Sequence, residues 1–541
     1  MRRAHRRSRI RPAWFALMGL GTLPLTAVAQ DSVDRRQPVV VASKPFGESY
    51  LLAELFAQVL ESHGIAVVRR PGLGATEIAF QALRSDAIDV YPEYTGTGLL
   101  AILGDTLEDA MRADARRTFV HVARRFDDLY GVRWLAPLGF QNGYAIAVRR
   151  ETAERLQLRT LSDLARVGPQ LNAGFTSDFI GRPDGLPGLR AAYGLRLGSV
   201  RPLAPAVKYA ALAEGAVDVI DGYSTDGLLS QHDLVTLEDD RRFFPPYEAA
   251  ALISPRLARE HPEAIVALNA LSGRLDERSM RVFNRRIEVD GDPIADVAAV
   301  VLRDIGLVRG TSVASASTGR PRAGFASFFW ARRAETLSLT ARHLELVVAA
   351  LLAAVLVALP LGLILERARR SAEWVVGGLG VLQTIPSIAL LAFMIPLLGV
   401  GVRPALVALW LYALYPIARN TYTGVRDADP EAVEACEAMG ATAVQRLRWV
   451  RLPLAAPVIV AGIRTSAVIS IGAATLAAFI GAGGLGEPIV TGLALADSRL
   501  ILSGALPAAL LAILVDATLA LVERAVRPAH LRTGTHPDPR G

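Results

Sequence analysis

Residues 431–453 read Glu-Ala-Val-Glu-Ala-Cys-Glu-Ala-Met-Gly, then nine residues, then Val-Arg-Leu-Pro. The stretch is short, charged and helical in pattern, yet strongly apolar runs stand on both sides of it. Glutamates hold such a segment in water, while Ala435, Cys436 and Gly440 are small enough to let a partner surface approach closely. An ordinary amphipathic helix lying outside a membrane would share these features. The flanking sequence therefore has to decide.

Crossing a bilayer takes about 20 predominantly apolar residues. Runs of that kind are 344–364, 375–400 (broken near Pro386), 404–417, 455–480 and 500–522. The third is short and borrows residues at both ends, where Arg and Tyr side chains can snorkel. Arg464 and Asp516 fall inside two of the runs. Charges at that depth usually face a bundle interior or a wet cavity, which suits a transporter. With the preceding region outside, loop 366–374 is inside and carries Arg367, Arg369 and Arg370. Segment 418–452 is inside too, with Arg419, Arg426, Arg446, Arg448 and Arg451, as is the tail with Arg524, Arg527 and Arg532. This five-span topology obeys the positive-inside rule and puts 431–453 in the cytoplasm.

A chain of 541 residues has room for two or three domains. Its hydrophobic content of 52% is high for a soluble protein and is concentrated in the second half. The net charge of +7 does not indicate nucleic acid, because the basic residues sit at segment ends and not in a stripe interleaved with aromatics. Lys44 and Lys208 are the only lysines, and neither lies in the Gly-x4-Gly-Lys-Ser/Thr setting of a phosphate-cradling loop. An ATPase of that type is thus excluded from this chain. A single cysteine, Cys436, leaves no intrachain disulfide and no multi-cysteine metal site, and no HExxH-like ligand cluster occurs. We expect neither metal nor cofactor.

Residues 1–30 begin with Arg2, Arg3, Arg6, Arg7, Arg9 and Arg11, continue with an apolar run and end near Ala27-Val28-Ala29. This is the pattern of a secretory signal peptide or an uncleaved anchor, and either places the next domain outside the cytoplasm. Region 31–310 alternates β-rich runs (38–42, 65–69, 87–91 and 217–221) with amphipathic helical stretches such as 50–63. Such alternation predicts an α/β domain with largely parallel strands, long enough for two lobes. Ligands in these folds sit beyond the strand ends. Polar-aromatic clusters fall just there: Ser43–Glu48, Asp89–Gly98, Gly139–Ala145, Phe179–Gly185, Gly222–Gly227 and Phe243–Tyr247. Residues 311–334 start with small polar residues and read as a linker, 335–525 as the membrane domain, and 526–541 as a cytoplasmic tail.

Asp89-Val90-Tyr91-Pro92-Glu93-Tyr94-Thr95-Gly96-Thr97, together with Tyr223-Ser224-Thr225-Asp226-Gly227 and Phe243-Phe244-Pro245-Pro246-Tyr247, resembles the binding proteins for glycine betaine, choline and related osmoprotectants. Two departures, Ala75 in Gly72-Leu73-Gly74-Ala75-Thr76 and Gln141-Asn142-Gly143-Tyr144, bear on ligand choice. The second half is similar to the permeases of the same ABC importers. Gln383-Thr384-Ile385-Pro386-Ser387, Tyr415–Thr421 and Gly481–Gly486 carry that resemblance, along with the opening stretch. There Glu434, Ala435, Gly440, Leu452 and Pro453 match the loop that couples such permeases to a separate ATPase, with Cys436 and Val450 as departures.

The resemblance implies a bilobed, periplasmic-binding-protein-like α/β domain of type II, followed by an all-α transmembrane permease. It maps an aromatic cage for a quaternary ammonium onto Tyr94, Tyr144, Tyr223 and Tyr247. Lys44, Thr97 and Arg182 are the positions matching donors for a ligand carboxylate, although Arg182 could instead be a turn residue pairing with Asp184. A quaternary ammonium has no N–H to donate, so ring faces must hold it, at roughly 0.5–2 kcal/mol per contact. The implied protein is a fused binding and permease subunit of an importer in the bacterial inner membrane. It would act as a homodimer with a separate cytoplasmic ATPase and catalyse no reaction itself. A tethered solute sensor is the alternative function, and other trimethylated or zwitterionic amines are alternative cargo.

Overall fold

The computed structural model describes residues 37–105, 109–112, 114–308, 324–495 and 497–527. The expected signal segment, most of the tail and the small polar stretch 310–322 lie outside them. Two five-stranded sheets build the first domain. The first contains β1 (Val39–Ala42), β2 (Val67–Arg70), β3 (Val90–Tyr94), β4 (Arg133–Trp134) and β10 (Ala249–Ile253), in the order β2-β1-β3-β10-β4. The second contains β5 (Tyr144–Arg149), β6 (Asn172–Phe175), β7 (Ser199–Pro202), β8 (Val219–Tyr223) and β9 (Leu234–Thr236), in the order β7-β6-β8-β5-β9. Each sheet centres one lobe. The chain crosses to the second lobe between β4 and β5 and returns between β9 and β10.

That return explains a departure from the expected parallel sheets. β1 pairs in parallel with β2 and β3, and β6 in parallel with β7 and β8. The strands after a crossing enter from the opposite side: β10 runs antiparallel to β3 and β4, and β5 to β8 and β9. Both sheets are therefore mixed. Helix Gly47–Ser62 repeats apolar residues three to four positions apart, and Leu51, Leu52, Leu55, Phe56 and Val59 are all buried. It packs on helix Ile294–Asp304, which ties the end of the domain to its beginning.

The second half is helical. Residues 325–331, expected as linker, form helix Phe325–Ala331, and the long helix Arg333–Arg367 begins upstream of the apolar run read at 344. Helices Arg369–Thr384 and Ser387–Leu398 are bent by 96° at a break containing Pro386, where the sequence placed one. Proline removes a helix N–H and clashes with the preceding turn, and surrounding protein makes the break tolerable in a membrane. Among the described residues three helices are long and apolar enough to cross a membrane, Arg333–Arg367, Ala443–Ile480 and Ser498–Ala525, and the bent pair makes up to four. The third expected span lies in helix Val402–Arg426, which does not meet that measure by composition. The reason is its place. It packs against Arg333–Arg367, Leu452–Leu476, Arg369–Thr384 and Ser387–Leu398, so much of its surface meets protein and need not resemble lipid.

Small residues allow this close packing. A Cβ on Gly362 would stand 2.6 Å from Thr421 Cβ, and one on Gly462 would stand 2.7 Å from Asn420 Cβ and 2.8 Å from the Pro416 carbonyl oxygen. Arg464 and Asp516 find each other: the guanidinium donates to both carboxylate oxygens at 2.5 and 2.7 Å. The intramembrane charges read from sequence thus form a pair. We predict that Gly462→Leu sharply lowers the yield of monodisperse permease in gel filtration. Gly377→Leu, at a site with nothing within 4 Å, leaves it unchanged.

Candidate functional site

The site grows from strand ends. Tyr144 opens β5 and Tyr223 closes β8, and the antiparallel register sets them directly opposite each other. Their rings stack with centroids 5.4 Å apart and planes 22° apart. Such cross-strand pairs are the local unit of sheet stability. Tyr247, on the returning segment, meets Tyr144 edge-on at 5.9 Å. Tyr94 ends β3 in the first lobe. Phe46, from the turn before helix Gly47–Ser62, links the lobes by facing Tyr94 at 6.3 Å and Tyr223 at 5.8 Å. One cavity of about 600 Å³ is lined by all seven residues singled out as a binding site, Lys44, Tyr94, Thr97, Tyr144, Arg182, Tyr223 and Tyr247.

Buried polar groups fix the rings. Glu48 accepts hydrogen bonds from the Tyr94 hydroxyl at 2.6 Å, from Asn142 at 2.8 Å and from Asn284 at 2.9 Å. Burial raises the carboxyl of Glu48 above its ordinary value, against the lowering effect of these donors. Burial likewise raises the hydroxyls of Tyr94, Tyr144, Tyr223 and Tyr247 above the usual tyrosine range, so the rings stay neutral. On the far side of the cage Lys208 stands 5.7 Å from the Tyr223 ring centroid and pairs with Asp221 at 3.3 Å.

The two cations expected to receive a carboxylate already have partners. Lys44 Nζ donates to Glu93 Oε1 at 2.6 Å and lies 5.2 Å from the Tyr94 ring centroid. Arg182 grips Asp184 through two bonds, at 2.8 and 2.5 Å, as its turn reading anticipated. It also reaches across the cleft to Thr97 Oγ1 at 3.2 Å, so the two readings of Arg182 are compatible. Asp184 in turn accepts from the Tyr247 hydroxyl at 2.7 Å. These contacts hold the lobes together over the cavity. Sequence reasoning assigned no site role to Phe46, Glu48 and Asn142. All three lay within the polar-aromatic clusters, but the partners of Glu48 are 46 to 236 positions distant and gave no local signal.

Comparison with known proteins agrees with this architecture. Residues 37–304 match the substrate binding domain of ABC-type glycine betaine transport systems, and 325–528 match the binding-protein-dependent transport system inner membrane component. The chain is 48% identical to the choline transport system permease protein OpuBB of Bacillus subtilis, over 37% of this chain and 91% of that one. It is 32% identical to the glycine betaine-binding protein YehZ of Escherichia coli, over 53% of this chain and 96% of that one. This protein is a fused binding and permease subunit of the ABC importer family. A third relative, the ergothioneine transport permease/ergothioneine binding protein EgtU of Helicobacter pylori, is 30% identical over 52% of this chain and half of that protein.

As an importer subunit the chain sits in the inner membrane with its binding domain outside, moves a small solute and leaves ATP hydrolysis to a separate ATPase. The segment expected from the sequence to be the coupling loop begins with helix Pro430–Ala438, capped by Asp429, whose carboxylate accepts from the backbone N–H groups of Glu431 and Ala432. Val433 and Cys436 face inward, while Glu434, Ala435 and Gly440 are exposed. Gly440 takes φ +81°, a conformation that favours glycine. Leu452 is half-buried and Pro453 exposed at the start of the next long helix. Exposed Met439, Val444 and Trp449 add apolar surface beside the charged face.

Glu48 gives a pH test. A carboxyl raised above its unfolded value of 4.5 binds more protons in the folded state over the interval between the two values. Its contribution to stability therefore falls as pH rises above 4.5. Thermal unfolding of Glu48→Gln should show a shallower loss of stability with rising pH than the unaltered chain.

Proposed function

We propose that this importer subunit takes up quaternary ammonium osmoprotectants of the glycine betaine, choline and carnitine type. One observation carries the reading: the rings of Tyr94, Tyr144, Tyr223 and Tyr247 line a single cavity, joined by Phe46. A trimethylammonium head spreads its charge over methyl groups and gains from the negative faces of such rings. The stacked rings pack on one another, and a ligand of this class would part them. The names of the relatives, which mention choline and glycine betaine, support the same class.

Zwitterions, including trimethylated amino acids of the ergothioneine kind, belong within the proposal because Arg182, Lys44 and Thr97 lie beside the rings. A carboxylate there would share the guanidinium with Asp184. In our reading the subunit works as a homodimer with two copies of the ATPase. The closed binding domain delivers its solute to the outward-facing permease. Closure of the ATPases against Glu434, Ala435, Gly440, Leu452 and Pro453 then reverses access.

Calorimetric titration of the solubilised chain with choline, glycine betaine, carnitine and a neutral amino acid tests the site. We expect micromolar binding of at least one quaternary amine, weakened about 2- to 30-fold by Tyr223→Ala, as loss of 0.5–2 kcal/mol requires. Binding of the neutral amino acid alone, or binding indifferent to Tyr223→Ala, would refute the cage. For the coupling segment, Ala435→Arg should abolish uptake in cells while leaving solute binding intact.

A further inference from the structure

The cavity does not end with the binding domain. Its opposite wall belongs to the permease and includes Ile388, Leu391 and Ile395 from the half-helix beyond the 96° bend. Phe479 and Leu493 complete much of the rest. Every permease side chain on this wall is apolar, and Phe479 is its one aromatic ring among the described residues. It is half-buried.

Phe479 also stands next to the contact that joins the domains. Leu73 of the first lobe is buried against Gly481, where a Cβ would come within 2.4 Å of the leucine Cδ1. Gly481 has φ +74°, and the preceding Ile480 carbonyl accepts from the Gly401 N–H at 2.7 Å. A Cβ on Gly401 would in turn stand 3.3 Å from Arg70 Nη1 of the binding domain. The ring is thus held two residues from the docking point, on the same cavity as the tyrosines.

We propose that Phe479 is the permease's receiving contact for the cationic head of the solute, a second and weaker ring site entered as the tyrosines let go. The proposal rests on the functional reading above. An aliphatic wall offers a desolvated cation nothing to replace the ring faces it leaves, whereas a single ring provides a partial replacement. One ring in place of several also suits a pathway, where a solute must enter a site and leave it again. The wall carries no hydrogen-bond acceptor on a side chain. It therefore suits a head group without N–H and disfavours a primary ammonium, which would arrive with donors unmet.

The test uses the full chain with its ATPase in proteoliposomes and radiolabelled choline and glycine betaine, comparing Phe479→Leu and Phe479→Tyr. Uptake of the bound solute should fall about tenfold in Phe479→Leu and stay near the unaltered rate in Phe479→Tyr, with the Kd of the solubilised chain unchanged in both. A monodisperse gel-filtration peak like that of the unaltered chain shows that the permease half of each variant folds. Uptake by Phe479→Leu at the unaltered rate would overturn the receiving role. So would a Kd weakened in proportion to the loss of uptake, since the ring would then belong to the first site. If the unaltered chain binds no quaternary ammonium, the functional reading fails, and the receiving contact with it.

Discussion

Buried charge must be paired, and in this protein the pairing builds the cleft. Glu93 holds Lys44, Asp184 holds Arg182, Asp221 holds Lys208, and three donors converge on Glu48. Each group is tied to a ring or to the opposite lobe. Lys44 leans on Tyr94, Lys208 on Tyr223, Glu48 positions the Tyr94 hydroxyl, and Asp184 that of Tyr247. The only two lysines of the chain thus both stand behind cage rings. Neither is free to act as a simple point charge for the ligand, and the Tyr94 and Tyr247 hydroxyls are already bound to Glu48 and Asp184.

Close approach governs the membrane half in a similar way. Glycines set the distance between the central helix and its neighbours, and a glycine at 481 sets the distance between permease and binding domain. Loops with φ > 0 and no Cβ let two backbones meet where larger residues would hold them apart. The Gly481–Gly486 stretch, read from sequence only as allowing close approach, is where the permease receives Leu73.

Much of this was legible beforehand because it was local. The strand starting at Val39 and the one ending at Arg70 lay within one or two positions of the apolar runs read for them, and the break at Pro386 was fixed by proline chemistry. The candidate cage residues come to line one cavity because motif and strand end coincide: Tyr94 and Tyr223 terminate β3 and β8. What escaped was non-local. The antiparallel turn of β5 and β10 follows from the chain crossing between lobes, which hydrophobic periodicity does not record. The Lys44–Glu93 pair spans 49 positions and gave no sequence signal. The helix Val402–Arg426 was read as a short span because hydropathy senses lipid, and this helix mainly meets protein.

The central claim is that ring faces, and not hydrogen bonds, hold the solute. A cryo-electron microscopy structure of the full chain bound to choline tests it most directly. Our account places the quaternary nitrogen within about 6 Å of the centroids of at least three of Tyr94, Tyr144, Tyr223 and Tyr247. Density for choline outside these rings, with Tyr144 and Tyr223 still stacked on each other, would contradict it.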